Sequence, residues 1–103
     1  MAVFWITFRL EDSGTMKPSY EQRYKALMDA IEECATQWWL DPTSFIAFES
    51  GMSAEGIATV AKTAINPAHD MFLLRNMDVK DAVICGKTTD QDIFKLIPYL
   101  KKV

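Results

Sequence analysis

The carboxylates Glu11 and Asp12, just past the first strand-like run, and Glu49, which closes another, are the side chains best suited to chemistry in this chain. Carboxylates held together can bind Mg²⁺ through oxygen or act as acid and base. Their spacing does not favour that use. Adjacent residues on an extended chain point to opposite sides, so Glu11 and Asp12 do not converge by themselves. Carboxylates are mostly solvated, and a wet loop and strand end is the simpler account of all three. His69 is the single histidine. It has no Cys or His at metal-ligand spacing, so it reads as a surface residue in a Pro-Ala-His-Asp turn. Ser44 has no histidine near it in sequence to serve as a base. Trp5, Trp38 and Trp39 with Arg9 would suit a stacking platform for single-stranded nucleic acid. The same residue types fill cores and protein interfaces. Gly14, Gly51, Gly56 and Gly86 are isolated, so no glycine-rich phosphate loop is present.

The chain that must position these residues has 103 residues, half of them hydrophobic, which fits one domain over 1–103 with a single core. Net charge is −3 and the sequence pI about 5.0, so no bulk basic signal points to nucleic acid or an anionic membrane. Cys34 and Cys85 are too few and too far apart for a disulfide framework or a clustered metal motif, and both lie in apolar segments as buried free thiols do. No secretory leader is visible at Met1–Leu10, and no apolar run approaches the roughly 20 residues of a membrane span. The expected setting is a reducing cytoplasm. The residues imply no cofactor, and Mg²⁺ enters only if the acids act together.

Alternation predicts a first strand over residues 2–10, with Phe4, Ile6, Phe8 and Leu10 toward the core and Val3, Trp5, Thr7 and Arg9 on the other face. Ser19 and Gln22 form a capping box for a helix over about 19–35, whose apolar side carries Tyr20, Tyr24, Leu27, Ile31 and Cys34. Trp38–Glu49 breaks at Asp41-Pro42 and reads as a β-hairpin or one bent strand. Ser53 caps a second helix over about 53–65 with a stripe of Ile57, Val60, Ala61 and Ala64. Met71–Leu74 and Ala82–Cys85 read as further strands. Thr89 and Asp92 make a second cap pair before a short helix over Ile93, Phe94 and Leu96, and Tyr99–Val103 reads as a tail. The expected core includes Phe4, Ile6, Phe8, Leu27, Ile31, Phe45, Val60 and Leu73. The order is α+β and ferredoxin-like, βαββαβ, an antiparallel sheet with helices on one face plus a late strand and a short C-terminal helix.

Several local patterns resemble the small CRISPR-associated endoribonuclease family, the smaller of the two core adaptation proteins. They are Ile6-Thr7-Phe8 in the opening strand, the capped helix behind it, Thr43-Ser44-Phe45-Ile46-Ala47-Phe48-Glu49 before a Ser-led helix, and Ala64-Ile65-Asn66-Pro67-Ala68-His69-Asp70 before a strand. The resemblance covers residues 2–86. It implies a ferredoxin-like homodimer, often completed by a late strand that crosses to the partner. It also implies metal-dependent nucleic-acid cleavage in some members and an architectural role in others. The metal-binding acid of that family ends the first strand, where this chain has Arg9, and a cation cannot ligate Mg²⁺.

The expectation is therefore a non-catalytic dimerising module without the metal acid. Trp5, Thr7 and Arg9 would form a face for a partner or nucleic acid, with Val83 and Cys85 at the dimer interface. The competing reading is a Mg²⁺- or Mn²⁺-dependent endonuclease of RNA or DNA, possibly toxin-like, using Glu11, Asp12 or Glu49.

Overall fold

Strict alternation puts Phe4, Ile6 and Phe8 on one side of β1 (Ala2–Arg9), and that side is buried in the computed structural model, which describes residues 1–103. β1 is the middle of the sheet. It pairs antiparallel with β3 (Phe45–Ser50) on one side and β4 (Met71–Asn76) on the other. β2 (Gln37–Trp39) joins β3 as an antiparallel hairpin, so the tryptophan-rich stretch turns back on itself between Leu40 and Ser44. β5 (Asp81–Gly86) lies antiparallel to β4, and β6 (Leu100–Lys102) lies parallel to β5. The sheet order is β2-β3-β1-β4-β5-β6. Its first four strands have the ferredoxin-like order, and the last two extend it.

Two helices cover the Phe4–Ile6–Phe8 side. α1 (Tyr20–Cys34) opens with the expected capping box. Ser19 Oγ accepts from the Gln22 amide, and Gln22 Oε1 accepts from the Ser19 amide. Leu27 and Ile31 are fully buried beneath it. α2 (Ala54–Lys62) is capped by Ser53, which accepts from the Gly56 amide. Ala54, Ala58 and Ala61 face inward, and such small side chains let the helix approach β4 and β5 closely.

Several expectations change. Residues 99–103 are not a free tail: Leu100–Lys102 form a sheet strand, and Val103 donates its amide to the Ile84 carbonyl. The late strand therefore has a place within its own chain, with β4 and β6 on its two edges. Val83 and Cys85, expected at a dimer interface, are 0 % and 1 % exposed in the core of their own chain. The β4–β5 hairpin explains this, because its register sets Val83 beside Leu74 and Cys85 beside Phe72 on the helix-covered side. The short helix α3 (Ile93–Leu96) lies on the opposite sheet face, and Asp92 makes no side-chain cap bond. Leu73 is buried on that second face, whereas Phe45 and Val60 are only half-buried. No helix is long and apolar enough to cross a membrane.

Candidate functional site

The second sheet face is built by the residues that alternate with the core. The strand registers align Trp39, Ala47, Trp5, Arg75 and Ala82 in one row across the sheet. The next row holds Phe45, Thr7, Leu73 and Ile84. This face has two unlike halves. Over β4 and β5, Leu73 and Ile84 are buried at 7 % and 3 % exposure, and they share a cavity of about 260 Å³ with Ile93 and Leu96 of α3. Beside it the Arg75 guanidinium sits 5.1 Å from the centre of the Tyr99 ring and donates to the Val79 carbonyl at 2.6 Å. The chain thus covers this half itself.

Over β1, β3 and β2 the sheet is only partly covered: Thr7 borders the α3 cavity, and Trp5 and Phe45 are half-buried. Trp5 stacks on Phe45 with ring centres 5.8 Å apart, and Trp39 meets Phe45 edge-on at 6.3 Å. Offset and edge-on contacts of this kind suit the ring quadrupoles. Trp39 remains 50 % exposed, and Leu40 and Val3 beside the cluster are exposed as well. Thr7 Oγ1 donates to the Ser44 carbonyl at 3.1 Å, and Arg9 Nη2 donates to the Lys87 carbonyl at 2.8 Å. Trp5, Thr7 and Arg9 therefore share one face, as the alternation predicts. Trp38 does not join them. It pairs with Phe48 and packs against the core on the helix side, because it is offset by one residue from Trp39.

The three candidate acids are separated. Glu11 Oε2 pairs with His69 Nδ1 at 2.7 Å on the surface. Asp12 lines a different hollow, with Gly14, Met16, Ser19 and Tyr20. Glu49 accepts from Thr36 Oγ1 at 2.9 Å and stands beside Val3, at the other end of β1. From Val3 to Arg9 an extended strand covers about 20 Å. No group of three or more His, Cys, Asp or Glu side chains lies close enough to hold one ion. As placed, these acids do not fit a shared Mg²⁺ site, which takes several oxygens around one point.

The strongest polar cluster lies elsewhere, between α1 and the two loops beside it. Arg23 and Asp70 are 2 % and 0 % exposed. Arg23 Nη1 donates to both Asp70 oxygens, at 2.6 and 2.7 Å. The same carboxylate accepts from the Glu11 and Asn66 amides, each at 2.8 Å. The rest of the guanidinium donates to the Pro18 and Glu11 carbonyls. Both charges are thus paired and hydrogen-bonded, as burial requires. One side chain on α1 locks the β1–α1 loop to the α2–β4 loop. The sequence does carry a signal for this. Arg23 sits four residues before Leu27 and eight before Ile31, inside the apolar stripe, where a cation needs a buried partner. Nothing local identifies that partner as Asp70, 47 residues away.

Burial pushes the Cys34 thiol up from its ordinary value, with the nearby Glu33 charge adding to the effect. Burial likewise raises Cys85, partly opposed by Lys62. Neither thiol is primed as a nucleophile, which needs the thiolate.

No family model, curated protein or solved structure matches this chain.

Proposed function

We propose that this chain is a non-catalytic, self-associating ferredoxin-like module whose working surface is the β1–β3–β2 half of the second sheet face. One observation carries the reading. The chain's own α3 covers the β4–β5 half, while on the other half Trp5, Phe45 and Trp39 cluster with Trp39 half exposed and Trp5 and Phe45 only half-buried. A contiguous aromatic patch on a soluble surface marks a contact site, and aromatic residues are enriched in protein interfaces. A single-strand nucleic-acid platform would need cations that track the backbone. Here the net charge is −3, Glu49 borders the patch, and Arg9 is engaged with the Lys87 carbonyl. A second copy of the chain is the better occupant.

The ferredoxin-like order is what the resemblance to the small CRISPR-associated endoribonuclease family implies, though this fold hosts many functions. Arg9 in place of the metal acid and the separation of Glu11, Asp12 and Glu49 favour an architectural role over cleavage. Two free buried cysteines suit a reducing, cytoplasmic compartment.

Sedimentation velocity across micromolar concentrations tests the reading. The wild type should sediment as a dimer, and Trp5→Lys or Trp39→Lys should yield a folded monomer. Incubation with single- and double-stranded RNA and DNA, with Mg²⁺ or Mn²⁺, should give no cleavage. Cleavage that disappears on changing Glu11, Asp12 or Glu49 would overturn the non-catalytic reading. A wild-type monomer would overturn self-association.

A further inference from the structure

α3 covers the β4–β5 half of the second sheet face without filling the space beneath it. Leu73 and Ile84 are neighbours in register and form an apolar floor, at 7 % and 3 % exposure. Ile93 and Leu96 of α3 border the hollow above that floor, which holds about 260 Å³. No residue of α3 is buried, and Leu96 is 77 % exposed although it lines this apolar space. A close-packed layer would use such a side chain to close the gap. Asp90 and Asp92 complete the rim, and no basic side chain lines the hollow. Neither acid has a salt-bridge partner, and Asp92 makes no cap bond to α3. From this we infer that the hollow is a binding site for a small organic cation of the arylalkylamine class, an aromatic body carrying one ammonium group.

Each part of the hollow selects one part of that ligand. Volume sets its size. An apolar cavity of about 150 Å³ takes benzene. The larger hollow here has room for a ring with a chain of two or so carbons. Floor and roof set the apolar body. Sheet and helix present hydrocarbon from two sides, and a ring between them buries Leu96 against contacts that the free protein leaves unmade. A rigid ring also loses little freedom on binding. The rim sets the sign of the head group. Two carboxylates without a cation attract an ammonium and repel an anion, and the chain's net charge of −3 acts in the same sense. A bare metal ion does not fit. It needs several oxygens around one point, and no three His, Cys, Asp or Glu side chains lie together. A second hollow beside α3 differs in this respect. Lys102 lines it with its ammonium 5.1 Å from the centre of the Phe94 ring, so the chain supplies its own cation there.

This site is independent of the self-association proposed above. The test titrates 2-phenylethylammonium into the full chain and follows the methyl groups by NMR. Saturable shifts should centre on Leu73, Ile84, Ile93 and Leu96, with a Kd of about 1 mM or below. The neutral 2-phenylethanol has the same shape and should bind about threefold to tenfold more weakly, since exposed carboxylates act through a screened field. The anionic 3-phenylpropanoate should be weaker still. Asp90→Asn together with Asp92→Asn should remove the ammonium's advantage and leave 2-phenylethanol unchanged. Leu96→Trp changes an exposed position, so the fold should survive by circular dichroism. Its ring should fill the hollow and weaken both ligands about tenfold or more. The absence of saturable shifts at these methyls would overturn the site. Equal affinity for the ammonium and the alcohol would overturn the ligand class. Binding that ignores both the double variant and Leu96→Trp would overturn the location.

Discussion

Replacing Arg23 by Met should destabilise this protein more than any exposed charge removal could. Met approximates the length of the arginine stem and is apolar. What remains is Asp70, at 0 % exposure, holding a negative charge with only the Glu11 and Asn66 amides as donors. Removing one partner of a buried pair costs about 3–5 kcal/mol, because the other charge stays behind uncompensated. Removing a surface partner costs about 0–1 kcal/mol. The two predictions do not overlap, so the measurement decides between them. A domain of this size has a total stability of about 5–15 kcal/mol, so the loss is a large part of it. With a urea slope of about 1.5 kcal/mol/M, the midpoint should fall by about 2–3 M, read by tryptophan fluorescence and far-ultraviolet circular dichroism together. Asp70→Asn should also cost several kcal/mol, since it leaves the guanidinium buried with carbonyl acceptors alone. The double variant removes both charges and keeps an amide oxygen for one of the two backbone donors. It should cost clearly less than the sum of the singles, with a coupling of about 1–3 kcal/mol. A loss below about 1 kcal/mol for Arg23→Met would refute the reasoning, and so would strict additivity in the cycle.

Gly86→Ala should be severely destabilising. Gly86 has φ +95°, and an added Cβ would lie 2.0 Å from the Asp70 carbonyl oxygen, which is backbone and also accepts from the Lys87 amide. The left-handed conformation alone costs an Ala about 1–2 kcal/mol, and the clash adds about 1–3 kcal/mol, so a thermal midpoint within a degree of wild type would contradict this geometry. The two cysteines should be silent toward an aromatic disulfide reagent in the native protein and react fully in denaturant. Their raised values also set a sign for stability. The folded state holds these protons more tightly than the unfolded state, so their contribution is intact below the ordinary thiol range, about pH 8.5, and declines as pH rises above it. Cys34→Ala with Cys85→Ala should flatten that alkaline decline in urea titrations, and an unchanged slope would assign it to other groups.

Local chemistry was enough to give the sequence-level elements of this fold. Period-2 apolar alternation sets the two faces of β1, and the Ser19–Gln22 box and Ser53 set two helix starts, because these signals act within a few residues. Trp5, Thr7 and Arg9 were legible as one surface for the same reason. Only the tertiary structure decided the rest, because each remaining feature joins distant parts of the chain. The partner of Arg23 is set by the α2–β4 loop returning beside α1. The burial of Val83 and Cys85 is set by a hairpin register and by β6 occupying the outer edge, which residues 99–103 conceal because three residues with two lysines do not alternate long enough to read as a strand. Glu11 and Glu49 look like a pair in sequence and stand at opposite ends of β1, since antiparallel pairing sends the two strand ends apart. Which half of the aromatic face stays more open depends on where α3 comes to rest, and a four-residue helix carries too little pattern to say.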